Sequence, residues 1–193
     1  MSVYVVRHGQ TDWNKNGWVQ GRFDVPLNDT GRAQAKDAHD KLLDVPFEVC
    51  FVSPLSRAKE TAEIILKGRD VPMICDNRLV EMAYGIYEGT HWMGEEYQRY
   101  RRQLCYRYPE GESYFDVAHR AFSFLDELKE KHYTGNVLLV CHGGIGRAIE
   151  SYFDGTKSND SFIDGLHPNG SVQIYEFEER EVPVVIDNPV LKV

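Results

Sequence analysis

The sequence has few cysteines and no long apolar run. Its four cysteines, among 193 residues, lie far apart, form no Cys-X-X-Cys pair and have no histidine at zinc-finger spacing. This pattern argues against a disulfide framework and a structural zinc site, so we interpret them as reduced cysteines that mostly fill the core. No stretch approaches the roughly 20 consecutive apolar residues that a membrane-spanning helix needs.

The sequence also has fewer basic than acidic residues. The chain has 22 basic and 30 acidic residues, which gives a net charge of -8. This balance argues against a general nucleic-acid binder or a protein of acidic membrane surfaces, so any anion must be held by a local positive cluster. Met1 and Ser2 lead directly into an apolar run without the charged and apolar regions of a signal segment, and we therefore expect a cytoplasmic location.

What the sequence does have is a regular alternation of short apolar runs and helical patterns. The six predicted strands cover residues 3–6, 49–52, 71–75, 137–141, 172–177 and 182–186. Strands that alternate with helices predict βαβ units and a mainly parallel sheet. The length of the chain is typical of one domain with a sizeable core, and we expect a single domain over residues 1–193.

Capping residues mark the starts of three predicted helices. Asn28 precedes small apolar residues at helical spacing, and Ser113 with Asp116 fits a capping box. Ser53 is followed by Pro54, which predicts a capping hydroxyl ahead of a proline at the first helical position.

Polar residues follow three of the predicted strands directly. Arg7 and His8 follow the first strand, Arg57 lies in the predicted helical turn after the second, and His142 follows the fourth. Because the carboxyl ends of parallel strands meet at one edge of a sheet, we expect these side chains to converge. An arginine presents a planar donor fork that matches phosphate, and a histidine can act as nucleophile or base. The pattern predicts phosphate chemistry.

These motifs together resemble the histidine phosphatase superfamily, in its phosphoglycerate mutase-like branch. The matching segments are Arg7-His8-Gly9-Gln10-Thr11 with Asn14, Gln20-Gly21, Ser53-Pro54-Leu55 with Arg57-Ala58, Glu81 with Glu88-Gly89, Gly111-Glu112-Ser113, and His142-Gly143-Gly144. They occur in the family's order within residues 3–144. We expect a three-layer α/β/α fold around a six-stranded, mostly parallel sheet, with one antiparallel edge strand near the C-terminus.

The resemblance implies a reaction without a metal ion or cofactor. His8 would attack phosphorus and become a phosphohistidine, while Arg7, Arg57, Asn14 and His142 hold the phosphoryl oxygens. As alternatives from the residues alone, Arg57 could form a surface ion pair, and a histidine or arginine at a strand end could be purely structural.

The same resemblance implies a proton donor and a group of secondary contacts. Glu81 matches the family's general acid, and Glu88 is the competing carboxylate. Thr11, Gln20 and Gly21 are secondary candidates for phosphate binding, because Thr11 could equally cap the following segment and Gln20-Gly21 could serve only to shape the loop.

The predicted activity is hydrolysis of a small phosphoric monoester. The enzymatic alternative is a cofactor-dependent phosphoglycerate mutase. Gln20-Gly21 stands where a mutase would carry Cys-Gly-Trp, and the sequence ends soon after its last predicted strand; both features favour hydrolysis. An alternative of another class is a phosphate-binding scaffold without turnover, against which the complete set of motif residues argues.

Residues 81–109 are dense in aromatic and basic side chains and carry no strand signal. We interpret this segment first as a lid-like insertion over the site, second as plain packing, and last as a stacking surface for nucleotide or RNA, which the negative net charge disfavours. The leaving-group end of the site depends on how a set of these residues folds over it: Tyr84, Tyr87, His91, Trp92, Arg99, Arg101 and Arg102. The sequence leaves open which alcohol leaves, and an aromatic-rich surface is compatible with a homodimer.

Overall fold

The fold is organised around one five-stranded sheet. The computed structural model describes residues 1–131, 133–155 and 158–177, and the strands in them are β1 (Ser2–Arg7), β2 (Phe47–Val52), β3 (Met73–Cys75), β4 (Asn136–Cys141) and β5 (Val172–Glu176). The strand order is β3-β2-β4-β1-β5, and only the edge strand β5 runs antiparallel to its neighbour among these strands.

Helices cover both faces of this sheet. They are α1 (Asp12–Lys15), α2 (Asp29–Leu42), α3 (Ser56–Ile65), α4 (Glu95–Arg101), α5 (Tyr114–Glu130), α6 (Gly143–Phe153) and α7 (Asn159–Asp164). Successive side chains of β4 point to opposite faces: Leu139 packs in a core with α5 and α6, and Leu138 packs in a second core with α2 and α3. The predicted three-layer α/β/α fold with a mostly parallel sheet is therefore confirmed.

The predicted strands differ from the observed ones in number and length. Five of the six are present, whereas the sixth, at residues 182–186, lies outside the described residues. Strand β3 is shorter than the predicted 71–75, because pairing with β2 begins only at Met73 and all three strand residues are exposed. The antiparallel edge strand is observed, as β5 beside β1.

Two of the three predicted helix starts are confirmed and one is wrong. Asn28 caps α2, and Ser113 with Asp116 forms the capping box of α5. Ser53 does not cap α3, because Leu55 is extended, with ψ at 139°, and the helix begins only at Ser56.

The cysteines are split between core and surface. Cys50 and Cys141 are buried, whereas Cys75 and Cys105 are exposed, and all four are free thiols. The interpretation as core residues therefore holds for two of them. Among the described residues, no helix is long and apolar enough to cross a membrane.

The register of the parallel strands places the predicted site residues at one edge. Arg7 pairs with Cys141, and Val52 pairs with Val140. The ladder extends one residue further, since the His8 amide donates to the Cys141 carbonyl at 2.9 Å and the Ser53 amide donates to Val140 at 3.0 Å. The residues after β1, β2 and β4 therefore emerge side by side.

Candidate active site

A cavity of about 440 Å³ opens at this carboxyl edge of the sheet. Its volume is in the range of small-molecule sites. The predicted site residues on its wall are Arg7, His8, Asn14, Gln20, Gly21, Arg57 and Glu81. His142 is fully buried beside His8, with the two ring centroids 5.0 Å apart, and Thr11 is buried off the wall. The structure thus brings residues from four separate segments to one site.

The environment of His8 favours the neutral imidazole. Its ring is only 2% exposed, and Nδ1 donates to the Gly9 carbonyl at 2.6 Å. A carbonyl can only accept, so the proton is on Nδ1 and the lone pair is on Nε2. Burial, followed by the charges of Arg57 and Arg7, lowers the pKa of His8 well below its usual value. His8 therefore presents an unprotonated nitrogen.

Arg57 is held rigidly by a neighbouring loop. Its Nη1 donates to the Phe23 carbonyl at 2.7 Å and its Nη2 to the Gly21 carbonyl at 2.8 Å, and the side chain is fully buried. Burial lowers its pKa to about 10, so the guanidinium stays charged at neutral pH. The surface ion pair considered from the sequence is not formed.

Within the described residues, Arg7 is anchored by one nitrogen of its side chain. Its Nη1 donates to the His167 carbonyl at 2.6 Å. Burial lowers its pKa to about 10, Glu81 acts in the opposite direction, and Arg147 adds to the lowering. Arg7 therefore also remains positively charged beside His8.

Three buried side-chain nitrogens of the site have no hydrogen-bond partner in the described part of the chain. Among the described residues, Arg7 Nε, Arg57 Nε and His142 Nδ1 make no hydrogen bond. The other ring nitrogen of His142, Nε2, lies 2.7 Å from the Ser53 hydroxyl. Burial, then the charges of Arg57 and His8, lowers the pKa of His142 well below its usual value. Leaving buried donors unpaired is costly, so the site is built to receive an acceptor.

The two candidate carboxylates have different surroundings. Glu81 is 8% exposed on the cavity wall, where it accepts the amides of Gly144 at 3.0 Å, Ile145 at 3.1 Å and Met82 at 2.8 Å. It therefore sits at the N-terminus of α6, between that helix and the site. Glu88 is off the wall and accepts the backbone amides of Arg22 and Tyr84. Position favours Glu81 as the acid.

Of the secondary candidates, Gln20 and Gly21 lie on the cavity wall and Thr11 lies off it. Thr11 caps α1, and its hydroxyl donates to Gln20 at 2.9 Å, so the capping interpretation is the one observed. Asn14 lies on the wall, with its Oδ1 accepting from Thr11 and from Asn169 Nδ2. Gly21 has φ of 51° and acts on the site through its carbonyl, which holds Arg57.

The segment 81–109 forms part of the cavity wall. Of the residues expected at the leaving group, Tyr84, Trp92 and Arg101 line the cavity, and Tyr97 of α4 joins them. Tyr87, His91, Arg99 and Arg102, whose placement the sequence left open, lie off the wall. Helix α4 turns only one face to the site, and Arg102 instead pairs with Asp160 of α7 at 3.1 Å.

Sequence reasoning missed several residues of this wall, and the polar ones are Arg147, Tyr114 and Asn169. Arg147 could have been found, because it lies three residues after Gly144 on the same helix face. It is 6% exposed and its Nη1 donates to the Tyr114 hydroxyl at 2.8 Å. Burial acts to lower its pKa, but Tyr114, Tyr84 and Glu81 outweigh that effect and raise it. Asn169 lies in a loop that is remote in sequence from the motifs, and no sequence pattern marked it as a site residue.

Comparison with known proteins agrees with this geometry. Residues 3–188 match the sequence profile of the histidine phosphatase superfamily, branch 1. The chain belongs to this family. The predicted family and enzyme type, a phosphatase of the histidine phosphatase superfamily, are thereby confirmed.

Individual members of the histidine phosphatase superfamily are similar to the chain over most of their length. It is 40% identical over 159 residues to 2,3-bisphosphoglycerate-dependent phosphoglycerate mutase 2 of Gloeobacter violaceus, covering 76% of this chain and 73% of that one. It is 34% identical over 154 residues to the uncharacterised phosphatase PhoE of Bacillus subtilis, covering 80% and 78%. The crystal structure of the alpha-ribazole phosphatase from Shigella flexneri superposes with a TM-score of 0.82 at 27% identity, covering 93% and 92%.

Proposed function

We propose that this histidine phosphatase hydrolyses a small phosphoric monoester through a phosphohistidine on His8, with no metal ion. The observation that carries the proposal is that Arg7 Nε, Arg57 Nε and His142 Nδ1 are buried without partners among the described residues, on residues whose charges or rings act directly on His8. Two permanent positive charges match a phosphoryl dianion, and they supply the electrostatic stabilisation that a metal would otherwise give.

The first step transfers the phosphoryl group to the enzyme. Its oxygens accept hydrogen bonds from Arg7, Arg57, His142 and the Asn14 amide. The lone pair of His8 Nε2 forms a bond to phosphorus as the bond from phosphorus to the ester oxygen breaks, and Glu81 gives its proton to the leaving alcohol. The Gly9 carbonyl accepts a hydrogen bond from Nδ1–H of His8 throughout, which stabilises the positive charge that the ring acquires.

The second step returns the enzyme to its starting state. A water molecule attacks phosphorus, Glu81 takes the proton of that water, and the bond from phosphorus to Nε2 breaks. Inorganic phosphate leaves, and His8 is again neutral. In this mechanism Ser53 supports both steps: its hydroxyl lies 2.7 Å from Nε2 of His142, and we assign it as the donor, which keeps the proton of that ring on Nδ1 for the phosphoryl oxygens.

A phosphoglycerate mutase is the second candidate, and the 40% identity to a protein of that name favours it. The Gln20-Gly21 pair, in place of the Cys-Gly-Trp expected of a mutase, supports hydrolysis. Incubation with 3-phosphoglycerate and a trace of 2,3-bisphosphoglycerate separates the two. We expect phosphate release to outpace isomerisation, and faster isomerisation would replace hydrolysis with the mutase reaction.

Turnover of p-nitrophenyl phosphate and a panel of phosphoesters tests the proposal. We expect His8→Ala to abolish phosphate release. His39→Ala is the matched control, because His39 Nδ1 also donates to a backbone carbonyl, that of Ile65 at 2.7 Å, away from the cavity. Failure of the native enzyme to release phosphate from any ester, with phosphate still bound, would show a scaffold instead.

The segment 81–109 is proposed as a cover for the bound substrate. Tyr84, Trp92, Tyr97 and Arg101 support this role, since they close one side of the cavity. A cytoplasmic location, the absence of a nucleic-acid or membrane partner, and a homodimer as one option remain predictions from the sequence.

A further inference from the structure

Glu112 and Arg120 form a mostly buried ion pair that the proposed reaction does not use. Each side chain is 14% exposed. Arg120 Nε donates to Glu112 Oε1 at 3.0 Å, and Arg120 Nη2 donates to Glu112 Oε2 at 3.2 Å. Two parallel hydrogen bonds of this kind fix the orientation of both groups. Neither residue lies on the cavity wall, so any effect on the reaction must pass through another residue.

Glu81, the proposed proton donor, lies in an irregular loop. This loop joins two 3-10 turns, Asn77–Leu79 and Gly85–Tyr87, and Glu81 belongs to no helix or strand. Its carboxylate nevertheless reaches the amides of Gly144 and Ile145 at the start of α6, at 3.0 and 3.1 Å. A catalytic group on a loop needs a rigid scaffold to hold it, so contacts from elsewhere in the chain must set its position.

The ion pair holds this loop on both sides of Glu81. Arg120 Nη1 donates to the Val80 carbonyl at 2.6 Å, directly before Glu81. Glu112 Oε2 accepts the Ala83 amide at 2.9 Å, and the Glu112 amide donates to the Ala83 carbonyl at 2.8 Å, two residues after Glu81. The backbone is therefore fixed both before and after the proposed acid.

The ion pair is itself fixed to the core. Glu112 directly precedes Ser113, which caps α5, and Arg120 lies in the second turn of that helix. Val117 and Ala121 of α5 are fully buried in one core with side chains of β1 and β4. The loop thus takes its position from a helix packed on the sheet. This matters for the reaction, because a misplacement of about 1 Å can slow an enzyme about a hundredfold.

We propose that Glu112 and Arg120 are positioning residues for proton transfer by Glu81, because they fix the loop that carries its carboxylate. This inference rests on the proposed function, since that reaction gives Glu81 its role. Only an arginine can serve at position 120, because its guanidinium binds the carboxylate with Nε and Nη2 while Nη1 binds the loop.

Two esters with different leaving groups test the inference. p-Nitrophenolate leaves without a proton far more readily than an alkoxide, so only an alkyl phosphate depends strongly on the acid. The esters are p-nitrophenyl phosphate and the alkyl phosphate that the native enzyme hydrolyses fastest. In Glu112→Gln we expect kcat/KM to fall about tenfold or more for the alkyl ester and about threefold or less for the aryl ester. Glu81→Gln gives the size of the full effect.

Arg120→Lys is a second variant, which should change the ratio of the two kcat/KM values in the same direction. It keeps the positive charge and leaves the contact of Arg22 with Glu112 at 3.1 Å in place, so it also serves if Glu112→Gln does not fold. The inhibition constant of inorganic phosphate should stay within about twofold in both variants, because the proposed phosphate ligands are untouched.

Glu127→Gln is the matched control. Glu127 is also on α5 and pairs with an arginine, Arg78, at 2.7 Å, but in the described structure it does not bond to residues 80–83. The same substitution there removes an ion pair of the same helix and should leave the ratio of the two kcat/KM values unchanged.

The outcomes separate this inference from the proposed function. If Glu112→Gln and Arg120→Lys lowered both esters equally or not at all, the positioning role would be overturned while hydrolysis stood. The ¹³C shift of the Glu81 carboxyl group, measured without substrate, needs no turnover: Glu112→Gln should move it and Glu127→Gln should not. If the native chain hydrolysed no ester, the proposed function would fail, and this shift would still decide whether the ion pair positions Glu81.

Discussion

At the scale of single residues, the site depends on a few buried hydrogen bonds that set proton positions. The Gly9 carbonyl accepts a hydrogen bond from Nδ1 of His8, which leaves the lone pair of the ring on Nε2, toward the cavity. Ser53 and His142 Nε2 are 2.7 Å apart and both residues are fully buried, so no solvent can replace either partner. In the proposed reaction, the contact between Ser53 and His142 decides whether His142 offers a hydrogen-bond donor to the phosphoryl group.

Ser53→Ala should lower kcat with a smaller change in KM. The variant leaves Nε2 of His142 without its donor, and the loss of a buried hydrogen bond of about 1–2 kcal/mol corresponds to roughly a tenfold slower reaction. Steady-state kinetics and the ¹⁵N shifts of His142 provide the measurement. Ser171→Ala is the control, because the Ser171 hydroxyl is buried without a partner among the described residues; equal effects of both variants would rule out the role of Ser53.

The sequence allowed part of this residue-level picture to be predicted. Arg7, His8, Arg57 and Glu81 stand in motifs whose order is recognisable, and the structure places them on one cavity wall. The contact between Ser53 and His142 could not be predicted, because it depends on α3 starting at Ser56 rather than directly after Ser53.

At the scale of elements, the loop of residues 20–24 organises the first turn of α3. The carbonyls of Gly21 and Phe23 accept from Arg57, and the Asp24 carboxylate accepts the Ser56 amide at 2.8 Å. Local capping patterns predicted α2 and α5 correctly because their caps are near in sequence. The cap of α3 comes from a residue 32 positions away, which no local pattern reveals.

Gly21→Ala should therefore damage the site as well as the fold. Gly21 has φ of 51°, and a methyl group there would overlap the Glu88 carboxylate. The left-handed backbone alone costs an alanine about 1–2 kcal/mol of stability. We expect about a tenfold or larger fall in kcat/KM as well, because the loop that holds Arg57 must shift.

Gly68→Ala provides the matched control for that loop. Gly68 has φ of 79°, and a methyl group there would meet nothing within 4 Å. Its substitution should cost only the penalty of the left-handed backbone in denaturant unfolding while leaving kcat/KM unchanged. If both alanine variants kept full activity, the loop would have no role in positioning Arg57.

At the scale of the whole molecule, the buried histidines couple stability to pH. Burial, and then the charge of Arg57, lowers the pKa of both His8 and His142 well below the usual value. In the unfolded chain both rings bind a proton near about pH 6.5. The unfolded state therefore takes up more protons than the native state as the pH falls through that value, which favours unfolding.

The free energy of unfolding should thus be largest above about pH 6.5 and decrease on acidification, by up to about 1.4 kcal/mol per pH unit for each histidine. Urea unfolding between about pH 7.5 and pH 5.5, in buffers without phosphate, measures this dependence. In His142→Gln the slope should be smaller, since one group is removed. An identical slope in the variant and the native protein would show that His142 does not contribute to the pH dependence of stability.

The larger architecture was also predicted only in part. Alternating strands and helices predicted the three layers and the parallel sheet, because each element buries one apolar face. The wall contributed by the segment 81–109 could not be assigned residue by residue, because α7, remote in sequence, pairs with Arg101 at the end of α4 and with Arg102 just after it. Asn169 could not be assigned either, because it reaches the site from a loop that is remote in sequence from the predicted motifs.

The central claim, a covalent phosphoryl group on His8, is tested most directly by trapping. The enzyme is mixed with a ³²P-labelled phosphoester, quenched within one turnover in alkali, and digested for peptide mapping. The account predicts an acid-labile, base-stable label on His8 that forms and decays at rates compatible with turnover. An acid-stable label, a label on another residue, or full hydrolysis by His8→Ala would contradict it.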